Sequence, residues 1–217
     1  MSTRPNIRNS SLHDGRMEVL VHIVDDHATV RDALKILVES EGLPARCFAT
    51  GQDFLDYCTS DTRGCIVLDP QLSGISGLEL QTALREKGIR LPFIFISGNS
   101  DVPAVAEAFR SGAFDFIEKP LENTCLLSRL KQAIALDLRT CEHRRRQAEA
   151  ASQYARLSKR EKEVLHCTVK GYSAKDTAKS LGISHRTVEI YRANVMRKMH
   201  AETLADLVRI ALLLETD

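Results

Sequence analysis

The sequence predicts an α/β chain: an open, doubly wound sheet of five parallel strands, joined by a linker helix to a smaller all-α domain of four helices. Three observations predict it. Short apolar runs alternate five times with stretches of helical period between Val19 and Leu138, and from Leu157 onward only helical patterns remain. Charge divides at the same place. Residues 1–138 carry 14 basic and 19 acidic side chains, a net of −5, whereas residues 139–217 carry 16 and 10, a net of +6. The overall net charge of +1 therefore conceals two units suited to different partners.

Residues 1–17 mix Ser, Asn, Arg and Asp without an apolar period, so a flexible N-terminal arm is expected there. From Val19 a short apolar run ends in two acids (VLVHIVDD), and the residues after it place Val30, Leu34, Leu37 and Val38 on one helical face. A strand at Ala45–Phe48 precedes a helix at about Gln52–Cys58, and a strand at Cys65–Leu68 precedes one at about Gly77–Lys87. Pro92–Ile96 is an apolar strand before a helix at Pro103–Ser111, and Phe114–Ile117 a strand before a helix at Asn123–Leu138. Short connections between five such pairs require parallel strands, because right-handed crossovers lay helices on both faces of the sheet. Strands buried on both faces read as continuous apolar runs, as these do. The first domain is thus expected over 18–138. The stretch 139–151 has helix formers and clustered Arg but few large apolar residues, as an exposed linker helix would. Residues 152–217 form the second domain.

Open sheets of this kind bind their ligands at the C-terminal ends of the strands. Asp25 and Asp26 close the first strand, Asp69 the third, Ser97 the fourth and Lys119 the fifth. Any one acid at a strand end is ordinary, since strands must stop. Five polar groups converging on one rim point to a site. Carboxylates brought together repel and have raised pKa values unless a cation joins them, and an open, oxygen-rich set suits Mg²⁺, which keeps several waters. With Mg²⁺ and the Lys119 ammonium neutralising the charge, Asp69 can attack the phosphorus of a phosphodonor while Ser97 and Lys119 bind the transferred oxygens.

The stretches IVDDH, IVLDPQLSGISGLEL, FIFISGNSDVPAV and AFDFIEKP resemble the receiver domain of two-component response regulators over about Val19–Leu138. The resemblance implies a flavodoxin-like sheet of order 2-1-3-4-5, Asp69 as phosphoacceptor, Asp25 and Asp26 as the acidic pair, and Mg²⁺ held by Asp26, Asp69 and the backbone carbonyl of Gln71. It also implies Ser97 as the switch hydroxyl, Phe116 as the switch aromatic, and a cis bond between Lys119 and Pro120, where the trans preference is small. Two departures stand out. Where the family has Met-Pro-Gly after the phosphoacceptor, this chain reads Pro70, Gln71, Leu72, Ser73, Gly74, and Pro70 fixes φ and removes a donor next to Asp69. His27 stands where close relatives often carry a third acid, either as a metal contact or as a solvated helix-start residue.

In the basic domain, helical patterns cover Lys159–Lys170, Ala174–Leu181, Ser184–Met199 and Leu204–Leu214, with Gly171 and Gly182 placed to stop two of them. Gly182–Ser184 is a tight connection of helix-turn-helix type, and Ser184 can cap the third helix. Val188, Val195 and Met199 share the face expected to pack inward, leaving Arg186, Glu189, Ile190, Ala193 and Arg197 outward. A charged helical face is usually just solvated, but this one mixes sizes and polarities suited to base edges, with Lys and Arg for phosphates. LSKREKEVL and ISHRTVEIYRANVMRKM resemble the LuxR-type helix-turn-helix domain, from about Ser152 onward. That resemblance puts the DNA-binding motif at about Asp176–Val195, with Thr187, Arg192 and Lys198 added to the outward five. Arg192 either reaches DNA or covers the core with its stem. Both domains in this order resemble the FixJ branch of the FixJ/NarL response regulators over all but the first 17 or so residues.

That resemblance implies a transcription regulator, not an enzyme beyond its own phosphorylation and dephosphorylation. Its partners would be a sensor histidine kinase, a second copy of the chain once phosphorylated, double-stranded promoter DNA and RNA polymerase. Two alternatives stay open: DNA binding without phosphorylation, and a phosphorelay protein whose C-terminal helices bind protein. Length and composition agree with two globular domains: 217 residues, 43% hydrophobic and 27% charged. The six cysteines show no C-x-x-C spacing, so neither a disulfide framework nor a zinc site is expected, and thiol sensing rests on their number alone. No apolar run nears the roughly 20 residues of a membrane helix, and a cytoplasmic location is expected.

Overall fold

The computed structural model describes residues 18–98, 109–110 and 112–214. The chain divides into two compact units, Met1–Arg139 and Thr140–Asp217. In the first, β1 (Val19–Val24), β2 (Ala45–Phe48), β3 (Arg63–Leu68), β4 (Phe93–Ser97) and β5 (Asp115–Glu118) form one sheet in the order β2-β1-β3-β4-β5. Every neighbouring pair is parallel. Strand order reverses at β1, so the ligand crevice lies beyond the ends of β1 and β3. Register then decides what meets there. Val24 partners Leu68 and Ser97 partners Glu118, so Asp25 and Asp69 leave the sheet side by side, as do Ser97 and the residue before Lys119.

Alternate residues of each strand feed two cores. Val21 and Ile23 of β1, Cys65 and Val67 of β3, and Ile94 and Ile96 of β4 pack against Leu34 and Val38 of α1 (Ala28–Ser40) and against Leu126 and Leu130. Val24, Ile66, Leu68, Phe93 and Phe95 face the other way, onto Phe54 of α2 (Gly51–Tyr57) and Leu80 and Leu84 of α3 (Gly77–Glu86). Capping sets where α2 and α3 begin: Thr50 accepts from the Asp53 amide, and Ser76 and Glu79 form a reciprocal capping box.

Several boundaries differ from the sequence expectation, among them β5, which runs Asp115–Glu118 where Phe114–Ile117 was expected. β3 starts at Arg63, not Cys65, because Arg63 and Gly64 pair with Val19 and Leu20 of β1. β4 starts after Pro92, which has no N–H for the ladder and offers only its carbonyl, to Ile66 N at 2.9 Å. The helix expected to end at Leu138 continues as α4 (Asn123–Ala155), 33 residues with no Gly or Pro to interrupt it, so 139–151 is not a separate helix. The arm expected at 1–17 lies outside the described residues, as does the helix expected at Pro103–Ser111 apart from residues 109 and 110, which are helical.

His22 sits at the centre of β1 with no exposed surface, among the rings of Phe48, Phe54 and Tyr57 at centroid distances of 6.3, 5.2 and 5.8 Å. Its Nε2 lies 3.2 Å from the Arg63 carbonyl, and its Nδ1 has no partner. Burial pushes its pKa down from 6.5 to about 4. Between those two values the unfolded chain takes up a proton that the folded chain refuses. The stability present above pH 6.5 is therefore lost progressively toward pH 4, by about 3 kcal/mol in total. His22→Leu should flatten this slope in urea titrations run across that range; parallel wild-type and variant slopes would show that His22 is not its source.

The second unit holds α5 (Lys159–Val169), α6 (Ala174–Leu181), α7 (His185–Lys198) and α8 (Leu204–Leu212). Ser158, Ser173, Ser184 and Thr203 cap them, each accepting the amide three residues on. Gly182, at φ +65, closes α6 in the left-handed conformation that a tight turn into α7 needs. Leu157, Leu165, Val195, Met199 and Leu207 form the core.

Candidate functional site

Four strand ends deliver the expected groups to one rim. Asp69 follows β3 and takes its place through its amide, bonded to the Val24 carbonyl at 3.2 Å. Lys119 follows β5, its amide bonded to the Ser97 carbonyl at 2.8 Å, and the Lys119–Pro120 bond is cis. The Lys119 ammonium donates to Asp69 Oδ2 at 3.0 Å and lies 3.9 Å from Asp25 Oδ2. One cation thus serves two carboxylates. Asp25 is 3% exposed, and its Oδ1 accepts the His27 amide at 2.8 Å; Ser97 is buried equally deeply at the end of β4. Phe116, half-buried on β5 beside its partner Phe95, packs against the core that contains Leu68 and Leu80.

Asp26 is more open and is held from two sides. The Ser73 hydroxyl donates to its Oδ2, and His27 Nδ1 lies 2.7 Å from its Oδ1. The Ser73 bond is the main reason that its carboxyl sits below the ordinary carboxylate range. Gln71 is oriented by its own amide, which donates to Asp69 Oδ1 at 2.9 Å.

A hard divalent cation matches this donor set of carboxylate oxygens. Among the described residues, the tightest group of possible ligand atoms is Asp25, Asp26 and His27, all within 4.8 Å of one another. Asp69 stands outside that group, with Lys119 on one of its oxygens and the Gln71 amide on the other. The sequence reading therefore anticipated the acids but not the two hydrogen-bonded clamps on them. Ser73 was visible in the sequence only as a departure from a pattern. Nothing local showed that it reaches Asp26, 47 residues away.

In the second unit, α7 presents the expected outward face. Val188, Val195 and Met199 are buried, while Arg186, Glu189, Ile190, Ala193 and Arg197 are exposed, Ile190 to 56%. Thr187 is tied to the Ser184 cap through both its amide and its hydroxyl. Arg192 is half-buried. Lys198 differs from the rest of the expected group: its ammonium donates to the buried Glu161 carboxylate at 2.7 Å and to the Arg156 carbonyl at 3.4 Å, within the domain. Lys175 and Lys179 of α6 add exposed cations that the sequence reading did not single out.

All six cysteines are free thiols. Burial pushes the Cys58 and Cys65 thiols up to about 12, far from the reactive range. No described helix is long and apolar enough to cross a membrane.

Residues 21–131 match the family model of the response regulator receiver domain, and residues 155–211 match that of bacterial regulatory proteins of the luxR family. The chain is 42% identical over 193 residues to the transcriptional regulatory protein FixJ of Azorhizobium caulinodans, covering 89% of this chain and 92% of that protein. It is 41% identical over 192 residues to the transcriptional regulatory protein TdiR of Thauera aromatica, covering 88% and 85%. Among solved structures, the response regulator StyR has a TM-score of 0.79 at 33% identity, covering 90% of this chain and 98% of that one. Full-length FixJ from B. japonicum has a TM-score of 0.57 at 35% identity, covering 91% and 98%. The chain belongs to the FixJ-type two-component response regulators, with a receiver domain followed by a LuxR-type DNA-binding domain.

Proposed function

We propose that this regulator is switched by phosphorylation of Asp69 by a sensor histidine kinase, and that the phosphorylated chain forms a homodimer which binds double-stranded promoter DNA. The observation that carries this reading is the Lys119 ammonium at 3.0 Å from Asp69 Oδ2 and 3.9 Å from Asp25 Oδ2, at the crevice where strand order reverses. Domain boundaries at 18–138 for the receiver, 139–151 for the linker and 152–217 for the DNA-binding domain belong to the same proposal.

Asp69 is the nucleophile. One of its oxygens forms the new bond to phosphorus as the phosphorus–nitrogen bond of the donor's phosphohistidine breaks. Lys119 then exchanges a carboxylate oxygen for a phosphoryl oxygen, and the Ser97 hydroxyl binds a second. Asp26, Asp69 and the Gln71 carbonyl are the groups that would hold Mg²⁺, which supplies charge neutralisation at the phosphoryl oxygens. Asp25 keeps the site acidic beneath them. Movement of Ser97 toward the phosphoryl group frees space for Phe116, which borders the same core, and so carries the change to the dimer surface. Catalysis is confined to the chain's own phosphorylation and dephosphorylation, in the cytoplasm where kinase and promoter meet.

On DNA, Arg186, Glu189, Ile190, Ala193 and Arg197 face the bases and backbone of the major groove, with Thr187 and Arg192 at the edge of the contact. A dimer places two such helices on two half-sites, and the second binds at high effective concentration. RNA polymerase is the further partner that a promoter-bound regulator meets. The test is solution mass by light scattering after size exclusion, with and without Mg²⁺ and beryllofluoride, followed by gel shift of a promoter duplex. A dimer mass and tighter DNA binding are expected only with both additives present. Equal DNA binding under all conditions, with no change of mass, would favour the phosphorylation-independent reading instead.

A further inference from the structure

Ser73 lies on the segment between Asp69 and α3, and three contacts fix where its hydroxyl can go. Leu72 before it is buried in the core with Phe95, Ile75 after it packs on the same core, and the Gly77 amide closes the segment on the Pro70 carbonyl at 3.3 Å. Gly74, at φ +89, makes the intervening turn, which a side chain would strain. So placed, the exposed hydroxyl donates to Asp26 Oδ2 and bridges the segments that leave β1 and β3.

We propose that Ser73 is a positioning residue for Mg²⁺, its hydroxyl holding the Asp26 carboxylate in the orientation in which Asp26 and Asp69 receive the ion. This role presupposes the rim as a Mg²⁺ site. Asp25 and Asp26 are adjacent anions; His27 Nδ1 lies 2.7 Å from Asp26 Oδ1, but it is the Ser73 bond that ties Asp26 to the segment following Asp69. An ionised carboxylate accepts at about four lone-pair positions, so the hydroxyl leaves Asp26 free to ligate. Hydrogen bonds to a ligating carboxylate typically carry about 10- to 100-fold in metal affinity. The Pro of the family's Met-Pro-Gly has no hydroxyl to donate, whereas Ser73 does.

Calorimetric titration of the full chain with MgCl₂ at neutral pH tests it. Wild type is expected to bind Mg²⁺, Ser73→Ala to bind about tenfold more weakly, and Ser73→Thr, which keeps the hydroxyl, to recover wild-type affinity. An Ala variant that binds as tightly as wild type, or more tightly, would overturn the role of Ser73 while leaving the rim a Mg²⁺ site. A Thr variant as weak as Ala would overturn it too, since the hydroxyl is what is claimed. Absence of Mg²⁺ uptake by wild type would overturn the metal site itself, and the positioning role with it.

Discussion

Asp69→Asn should take up no phosphoryl group from acetyl phosphate and show none of the rise in mass expected of the phosphorylated wild type. The substitution keeps the shape of the side chain and removes its negative oxygen. The neutral amide is a poor nucleophile, and the Lys119 ammonium, 3.0 Å from Asp69 Oδ2, loses its closest counter-charge. Lys119 keeps Asp25 at 3.9 Å, so the rim should remain folded and the variant should melt with the wild type. Radiolabel incorporation from acetyl [³²P]phosphate gives the reading directly. Label retained at the wild-type level would place the phosphoacceptor elsewhere.

Gly64→Ala should unfold the receiver unit or bring it close to unfolding. Gly64 pairs with Leu20 in the middle of the sheet at φ +120, a conformation closed to L side chains. A Cβ there would lie 1.8 Å from the Leu20 carbonyl oxygen, a backbone atom that cannot turn aside as a side chain would. The Gly64 amide also donates to the buried Asp137 carboxylate at 2.9 Å, so a shift of the strand breaks that bond as well. Backbone strain of about 1–3 kcal/mol and overpacking of about 1–3 kcal/mol act against a total stability on the order of 5–15 kcal/mol. Urea denaturation followed by far-ultraviolet circular dichroism should show a loss of about 2–6 kcal/mol; a midpoint equal to that of the wild type would refute the close approach of β1 and β3 at Gly64.

His22 and Gly64 show where sequence reading stops. His22 lies in a run assigned to a strand, whereas Gly64 falls just before the expected strand Cys65–Leu68, in the two residues that β3 adds. Nothing within either stretch says that His22 meets Phe48, Phe54 and Tyr57, or that Gly64 touches Leu20, because those contacts come from strand pairing and helix packing. Lys198 makes the same point for the second unit. The resemblance groups it with the DNA-facing residues of α7, whereas Glu161, in the capping box that Ser158 makes at the start of α5, takes its charge inward. The missing stop after Leu138 is of another kind: charge and composition change there, but neither change interrupts a helix, and no Gly or Pro falls between Asn123 and Ala155.

Sequence by itself determined the five parallel strands, the family, the buried face of α7, and the identity of the groups at the strand ends, because apolar period, cap residues and strand termini are local and each residue carries its own part of the signal. Only the tertiary structure decided which of those groups touch. Lys119 shared between Asp69 and Asp25, Asp26 clamped by Ser73, and Asp69 outside the group of possible ligand atoms at Asp25–His27 all follow from register and loop packing between segments tens of residues apart. Such geometry is set by the whole core, so no window of sequence contains it.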